Sequence, residues 1–280
     1  MQHRPFGPTG RDVPVVGQGT WYIDHADRTQ AVVALKRGLD LGMTHIDTAE
    51  MYGDAELVVA EALEGRREEA FVVSKALPDH ATARGVVEAC ERSLRRLRTD
   101  RLDVYLLHWR GGVPLAETVA GMARLVEAGK IAAWGVSNFD EDDLEELWVE
   151  CDGAPPPVCN QVLYHLQERA IEHAVIPWCE AHGLATVAYS PFGHDDFPTP
   201  ASPGGRLLAE IAAAHDATAR QLALAFLTRR PSVFAIPKAA DARHVESNAA
   251  AGDLRLRDAA IAQLEQAFPL GRKPRSLPMI

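Results

Sequence analysis

The feature that most constrains the fold is an alternation of short apolar runs with amphipathic segments along the chain. Apolar, β-branched or aromatic runs, which are typical of buried strands, recur at Val15–Val16, Thr44–Ile46, Phe71–Val73, Val104–Leu107, Ala132–Val136, Val158, Thr186–Ala188 and Val233–Ile236. Parallel strands need a crossover segment between them, and that segment is usually a helix. The alternation therefore predicts a parallel sheet built from repeated βα units.

The segments between these runs have the character of helices. From Leu115 to Val126 the apolar residues fall three or four positions apart, so that they share one helix face. Three such segments end on a glycine just before the next apolar run, at Gly42, Gly129 and Gly183. A glycine at this position is typical of a left-handed helix C-cap.

Eight βα units in 280 residues are close to what one (β/α)8 TIM barrel needs. We therefore expect a single domain over residues 1–280. The long interval before the last strand leaves room for a Pro/Gly-rich loop, from Phe197 to Gly205, and an extra helix ahead of a Thr218–Leu227 helix. An open doubly wound sheet is the main alternative, but the nearest match to its GxGxxG motif, at Gly17–Thr20, breaks the pattern.

Composition excludes several classes of function. The chain has 39 acidic and 29 basic residues and a net charge of −10, which does not favour nucleic acid or an anionic membrane surface. Its 4 cysteines show no CxxC spacing, so we expect free thiols in a reducing compartment. The first residues lack an apolar signal region, and no run of about 18 apolar residues occurs. The prediction is a cytoplasmic protein.

Four polar side chains follow consecutive apolar runs. Asp47, Lys75 and His108 stand where the second, third and fourth predicted strands end, and Tyr52 lies five residues after Asp47. Because the active sites of these barrels lie at the C-terminal ends of the strands, and parallel neighbours are about 4.8 Å apart, we expect the four side chains to converge.

Each of these residues also has a structural interpretation. Lys75 could lie along the barrel rim, and Asp47 could cap a helix or form a simple salt bridge. His108 could be a satisfied core histidine, and Tyr52 could pack with its hydroxyl in water. The functional interpretation rests on all four facing one mouth.

The four side chains suit the reduction of a carbonyl by hydride. Hydride transfer to carbon builds negative charge on the oxygen, which then needs a proton and hydrogen-bond donors. Tyr52 could supply the proton if the Lys75 ammonium lowers the phenol pKa from about 10. Asp47 would keep Lys75 protonated, and His108 would orient the carbonyl.

The second half of the predicted barrel suits a flat, carboxamide-bearing cofactor. Ser137 and Asn138 follow the fifth strand, Gln161 the sixth and Tyr189 the seventh. An aromatic ring beside amide side chains can stack on such a ring and bind its amide. The phosphates of the cofactor are expected near Ser190, Gly193 and Lys238, since loops after the last two strands commonly hold phosphate in these barrels.

Taken together, these segments resemble the aldo-keto reductases over nearly the whole chain. The resemblance is carried, in order, by Ile46-Asp47-Thr48-Ala49-Glu50-Met51-Tyr52-Gly53, Val73-Ser74-Lys75, Leu106-Leu107-His108-Trp109, Gly135-Val136-Ser137-Asn138-Phe139, Asn160-Gln161, Ala188-Tyr189-Ser190-Pro191 and Ile236-Pro237-Lys238.

The resemblance implies a (β/α)8 barrel that reduces aldehydes and ketones with NADPH, with an N-terminal hairpin, up to about Pro14, closing its floor. The catalytic residues it implies are Asp47, Tyr52, Lys75 and His108, with Tyr52 as the acid. Trp21 and Trp109 are expected to line the substrate pocket. The cofactor-binding residues expected are Thr20, Ser137, Asn138, Gln161, Tyr189, Ser190, Phe192, Gly193, Lys238, His244 and Asn248.

The segment expected to bind the adenosine phosphate departs from the family pattern. Many relatives have Lys-Ser where this chain has Lys238-Ala239, and His244 stands where an arginine is expected. Arg243 lies one position earlier, on another side of the helix. Because a bidentate guanidinium contact is lost, we expect NADPH to be favoured through Lys238, with measurable use of NADH.

Within the family, the chain looks most like bacterial members that reduce methylglyoxal and similar small carbonyls. The loop from Trp109 to Pro114 and the tail after Pro269 are both short, which predicts a shallow, open pocket for small or varied aldehydes. The expected partner is such a small molecule, and the protein is expected to act as a monomer.

Two other functions remain open at this point. Barrels resembling this family also serve as nucleotide-binding β-subunits of potassium channels, which would make the chain a redox-linked regulator with little turnover. A metal-dependent barrel hydrolase would need several His and carboxylate ligands, and among the strand-end residues only Asp47 and His108 qualify. The His194-Asp195-Asp196 cluster is expected in a solvated loop, so no metal site is predicted.

Overall fold

Eight parallel strands that close on themselves form the centre of the molecule, and a short antiparallel hairpin precedes them. The computed structural model describes residues 1–280. The hairpin pairs β1 (His3–Pro5) with β2 (Asp12–Pro14). The barrel strands are β3 (Gln18–Gly19), β4 (His45–Asp47), β5 (Phe71–Ala76), β6 (Leu102–Leu107), β7 (Ile131–Ser137), β8 (Cys159–Leu163), β9 (Ala185–Tyr189) and β10 (Val233–Ala235).

Each barrel strand pairs in parallel with the next one along the chain. The circle is closed between its first and last strands, where the Gly17 amide donates to the Ala235 carbonyl at 2.8 Å and the Ala235 amide donates to the Val15 carbonyl at 2.9 Å. The predicted (β/α)8 barrel is confirmed.

The first strand differs from its prediction. The strand residues are Gln18–Gly19, and Val16 forms only an isolated bridge to Ala235. The backbone of β10 passes very close here, since a Cβ on Gly19 would lie 2.5 Å from the Ile236 carbonyl oxygen. Glycine permits this approach, which an apolar, β-branched run would not, and so the strand that closes the barrel carries little hydrophobic signal.

Ten helices surround the strands. They are α1 (Arg28–Asp40), α2 (Ala55–Ala62), α3 (Gly85–Leu97), α4 (Leu115–Glu127), α5 (Glu141–Glu150), α6 (Val175–Ala181), α7 (Pro203–Ala213), α8 (Ala219–Leu227), α9 (Ala242–Ala251) and α10 (Asp258–Ala267). The extra helix predicted before the last strand is α7. No helix combines the length and the apolar character needed to cross a membrane.

Local sequence explains where several helices begin and end. Thr218 caps α8 through a capping box with Gln221, because each side chain bonds the backbone of the other residue. Gly42, Gly129 and Gly183 all have positive φ, at 84°, 67° and 71°, which confirms the three predicted left-handed caps.

Apolar side chains form two separate clusters. The larger, of 62 residues, fills the layer between strands and helices, and the smaller, of 12, fills the barrel interior. Phe6 of the hairpin belongs to the interior cluster, where its ring lies 5.0 Å from that of Phe71 and 5.1 Å from that of Phe234. The hairpin therefore closes the barrel floor, as predicted.

The opposite end of the barrel is polar. Strand register brings Gly19 beside Asp47, Lys75 beside Leu106 and Ser137 beside Gln161. Because the strands are parallel and in this register, their last inward-facing residues lie at one level. This level holds the side chains described next.

Candidate active site

The centre of the site is a buried ion pair between adjacent strands. Lys75 of β5 donates from Nζ to Oδ1 of Asp47, on β4, at 2.5 Å and to the Thr48 carbonyl at 2.9 Å. The two side chains are only 0% and 2% exposed. Gln161 of β8 donates to the second oxygen, Oδ2 of Asp47, at 2.7 Å from across the barrel. Both carboxylate oxygens are thus used, and the ammonium is fixed in place.

Burial and pairing act in opposite directions on this pair. Burial raises the pKa of Asp47 and lowers the pKa of Lys75, because it penalises both charged forms. The mutual attraction and hydrogen bond counter both shifts. The short contact and the matched donors and acceptors are those of an ion pair, so each group stabilises the charged form of the other.

Tyr52 and His108 complete the group at the barrel mouth. The Tyr52 hydroxyl lies 3.5 Å from Nε2 of His108, and Nζ of Lys75 lies 5.1 Å from the centroid of the Tyr52 ring. Tyr52 is in the segment between β4 and α2, which folds back over the strand ends. The structure therefore brings together all four side chains singled out at the strand exits.

The predicted lowering of the Tyr52 pKa is wrong in direction for the protein without a bound cofactor. Burial raises the pKa of the Tyr52 phenol well above 10.0, and the negative charge of Asp47 adds to that effect. The phenol is consequently fully protonated at neutral pH, which is the form that an acid needs.

His108 is a neutral imidazole in this site. Burial, followed by the charge of Lys75, lowers its pKa from 6.5 to about 2. Its Nδ1 atom is buried and has no hydrogen-bond partner. With Nε2 beside Tyr52, the ring can hydrogen-bond to a group bound at the same point, but it does not change its charge near neutral pH.

Two connected openings lie above these residues. We call the first the groove; it is lined by Gly19, Thr20, Trp21, Tyr22, Asp47, Tyr52, Gln161, Tyr189, Ser190, Pro191, Phe192, Gly193, His194, Arg220, Ile236 and Lys238. We call the second the cavity; it is lined by Trp21, Met51, Tyr52, His108, Trp109, Ser137, Asn138, Gln161, Tyr189, Met279 and Ile280. Tyr52 lines both, so the two openings meet at the predicted acid.

The amide-bearing residues form a connected network where the openings meet. The Tyr189 hydroxyl donates to Oδ1 of Asn138 at 2.8 Å, and Nδ2 of Asn138 donates to Oγ of Ser137 and to the His108 carbonyl. Ser137 in turn donates to the Gln161 backbone carbonyl at 2.8 Å. These bonds hold the Tyr189 ring and the amide groups in one arrangement, which suits them to receive a planar carboxamide-bearing ring.

One set of the predicted cofactor residues lines the groove. It consists of Thr20, Ser190, Phe192, Gly193 and Lys238. The Thr20 hydroxyl also donates to the Asp47 carbonyl at 2.9 Å, which ties the groove wall to β4.

His244 and Asn248 of α9 are not among the residues that line the groove. His244 is exposed and Asn248 is buried. Arg243, the nearby arginine, is paired with the helix-capping carboxylate of Asp241 at 2.9 Å, which engages its Nε and Nη2 groups. Lys238 is thus the cation that borders the groove at this end, and it has no acidic partner. The cationic wall and the amide network fit an anionic dinucleotide.

The cavity is lined by the two predicted tryptophans and by the end of the C-terminal tail. Trp21 and Trp109 line it as expected, and the Trp109 ring lies 5.0 Å from that of His108. Met279 and Ile280 also line it, so the last residues form part of its wall. Both of these residues are more than half exposed, so they border the cavity without closing it, and the shallow, open pocket stays a prediction.

Three lining residues had no signal in the sequence. Arg220 is at the start of α8, far along the chain from any strand exit, and Met279 and Ile280 follow the last helix in a segment without periodicity. The exposed cluster His194-Asp195-Asp196 is in a solvated loop, as expected. His194 nevertheless stacks on Trp21 at 5.8 Å and lines the groove.

Known proteins share this sequence and architecture. A methylglyoxal reductase of Escherichia coli, YeaE, is 46% identical over 96% of this chain and 95% of its own length. An aldo/keto reductase from Klebsiella pneumoniae, solved with NADP and acetate, is 45% identical, covers 99% of both chains and superposes with a TM-score of 0.92. A glyoxal reductase of Bacillus subtilis is 30% identical over 88% of this chain and 86% of its own.

The sequence pattern of the aldo/keto reductase family matches residues 15–268. This range contains all eight barrel strands and the four side chains at the barrel mouth. The chain belongs to the aldo/keto reductase family.

Proposed function

We propose that this protein reduces small aldehydes and ketones to alcohols with NADPH, and that dicarbonyls of the methylglyoxal type are among its substrates. The observation that carries the proposal is the buried Asp47–Lys75 pair beneath Tyr52 and His108, at the point where the groove meets the cavity. The names of the E. coli and B. subtilis relatives support the substrate class, and the Klebsiella complex supports the cofactor.

The bound dinucleotide supplies a hydride to the carbonyl carbon. On this chain, Tyr52 donates its phenolic proton to the carbonyl oxygen as negative charge develops there. The Lys75 ammonium, 5.1 Å from the Tyr52 ring, then stabilises the phenolate that remains. Asp47 keeps Lys75 charged, and neutral His108 orients the carbonyl through Nε2.

The residues around the groove carry the proposed cofactor roles. Ser137, Asn138 and Gln161 bind the carboxamide, and Tyr189 stacks on the nicotinamide ring. Gln161 has a second contact that the sequence did not reveal, since it also holds Oδ2 of Asp47. A shift of the carboxamide is thereby transmitted to the ion pair through one side chain.

Preference for NADPH over NADH is proposed to rest on Lys238. Arg243 is occupied by Asp241 and His244 is outside the groove lining, so no bidentate guanidinium holds the 2′-phosphate. We expect a modest preference, with measurable turnover of NADH. A ratio of kcat/KM for NADPH to that for NADH near or below one would contradict it.

The direct test is a screen of NADPH consumption with methylglyoxal, phenylglyoxal, aldoses and aromatic aldehydes. We expect the small dicarbonyls to have the highest kcat/KM, with turnover that is insensitive to EDTA. Binding of NADPH without turnover of any carbonyl would instead favour the regulatory nucleotide-binding role.

Four properties remain predictions from the sequence. They are a monomeric state, a cytoplasmic location, a single domain over residues 1–280 and the absence of nucleic-acid binding.

A further inference from the structure

Two cations without acidic partners line the groove in a protein whose net charge is −10. Lys238 follows β10, and Arg220 is in the first turn of α8. Neither side chain forms an ion pair or a hydrogen bond within the chain, whereas the third cation of the site, Lys75, is paired with Asp47. The groove therefore has local positive charge that the protein itself does not neutralise, which favours an anionic ligand.

Aromatic side chains hold Arg220 in place. Its guanidinium carbon lies 4.8 Å from the centroid of the Phe192 ring and 4.8 Å from that of Phe197. The two rings are 5.8 Å apart and nearly perpendicular, at 88°, so the guanidinium lies in the corner between them. Such cation–π contacts restrict the side chain without using its hydrogen-bond donors.

A guanidinium held in this way is suited to phosphate. Its five N–H groups have no acceptor in the protein, and their planar arrangement matches two oxygens of one phosphate. Because the rings have already restricted the side chain, less rotamer entropy is lost when the anion binds. Arg220 differs in this respect from Arg243, which donates to Asp241 from Nε and Nη2.

We propose that Arg220 is a cofactor-binding residue that holds the pyrophosphate of the nicotinamide dinucleotide. The inference rests on the proposed function, in which Tyr189 stacks on the nicotinamide. Phe192 follows Tyr189 by three residues and supports Arg220, while one ribose separates nicotinamide from pyrophosphate in the dinucleotide. The 2′-phosphate lies one ribose further, toward Lys238 in the proposed arrangement.

The pyrophosphate is common to NADPH and NADH, and this sets the expected effect. A contact to it raises the affinity for both dinucleotides equally, and so it offsets the missing 2′-phosphate arginine without restoring selectivity. Arg220 thus explains how this chain can bind its cofactor with a weakened 2′-phosphate site, and why NADH use is expected.

The test is calorimetric titration of the full-length protein with two fragments, ADP-ribose and 2′-AMP. ADP-ribose contains the pyrophosphate without a 2′-phosphate, and 2′-AMP contains the 2′-phosphate without a pyrophosphate. For Arg220→Met we expect about 10- to 100-fold weaker binding of ADP-ribose, the usual range for charge-assisted hydrogen bonds, with 2′-AMP unchanged. Arg220→Lys, which keeps the charge but not the planar donors, is expected to have intermediate affinity.

The matched control is Arg124→Met. Arg124 is an exposed arginine of α4 without an ion-pair partner, so this variant makes the same change in net charge far from the groove, and both fragments should bind as in the unmodified protein. Unchanged ADP-ribose affinity in Arg220→Met would overturn the proposal, as would a loss confined to 2′-AMP. Because no substrate is present, these results are independent of whether the protein reduces methylglyoxal.

Discussion

Replacing Asp47 with asparagine is expected to leave a buried ammonium without its counter-charge. Lys75 is completely buried and its Nζ lies 2.5 Å from Asp47. Asparagine keeps the shape of the side chain, and Gln161 can rotate its amide to face the new one, so the main change is loss of the negative charge. Removing one member of a buried ion pair typically costs about 3–5 kcal/mol.

The expected loss is measurable by thermal and chemical unfolding. At about 2 °C per kcal/mol for a chain of this size, Asp47→Asn should lower the Tm by about 6–10 °C. The matched control is the double variant Asp47→Asn with Lys75→Met, which removes both charges. Because no unpaired charge then remains buried, the double variant should be more stable than Asp47→Asn alone, although both should lack reductase activity.

The destabilisation of Asp47→Asn should also depend on pH in a defined direction. Burial lowers the pKa of Lys75 from 10.5, and without Asp47 nothing of comparable strength opposes that shift. The unfolded chain then binds more protons than the folded one at pH values between the lowered pKa and 10.5, so stability rises as the pH rises through this window. Equal stability of Asp47→Asn and the unmodified protein, or a double variant less stable than Asp47→Asn, would refute the ion-pair argument.

Three further outcomes are expected. Tyr52→Phe should lower kcat by at least about 10²-fold with NADPH affinity unchanged. The control Tyr105→Phe, which removes a buried hydroxyl without a partner, should leave kcat intact. Near-normal turnover of Tyr52→Phe would show that Tyr52 is not the acid. The pKa of His108 is lowered to about 2, so the pH profile of kcat/KM should contain no ionisation near pH 6.5 that belongs to His108. An ionisation near 6.5 that disappears in His108→Gln would contradict a neutral imidazole. Met279→Ala should raise kcat/KM for bulky aromatic aldehydes relative to methylglyoxal, because Met279 forms part of the cavity wall; an unchanged ratio would show that the tail does not limit substrate size.

Local sequence was sufficient for the parts of the fold that depend on local chemistry. The extra helix, the left-handed glycine caps and most strands occur where periodicity and turn residues predicted them. Exceptions arise where another segment determines the geometry. The first barrel strand is the pair Gln18–Gly19, and its second residue is glycine because the backbone at the end of β10 approaches it closely. No property of residues 15–19 alone reports that contact.

The catalytic group was predictable for a similar reason. Asp47 and Lys75 stand at the ends of β4 and β5, and His108 directly follows β6. Parallel register brings strand ends together at fixed spacing, so the convergence of these residues follows from their positions. The direction of the Tyr52 pKa shift was not predictable. It depends on how much water the surrounding side chains exclude and on the distance of the Asp47 charge from the phenol.

By itself, then, the sequence determined the repeated βα architecture and which polar side chains stand at the strand ends, because both depend on residues close together in the chain. Only the tertiary structure decided which distant segments reach the same opening. Arg220 enters the groove because α8 packs beside β10 and the phenylalanines that follow β9 support its guanidinium, while Met279 and Ile280, at the end of the chain, line the cavity. These contacts join segments that are far apart in the sequence. Closure of the barrel brings those segments together, and local periodicity does not record that closure.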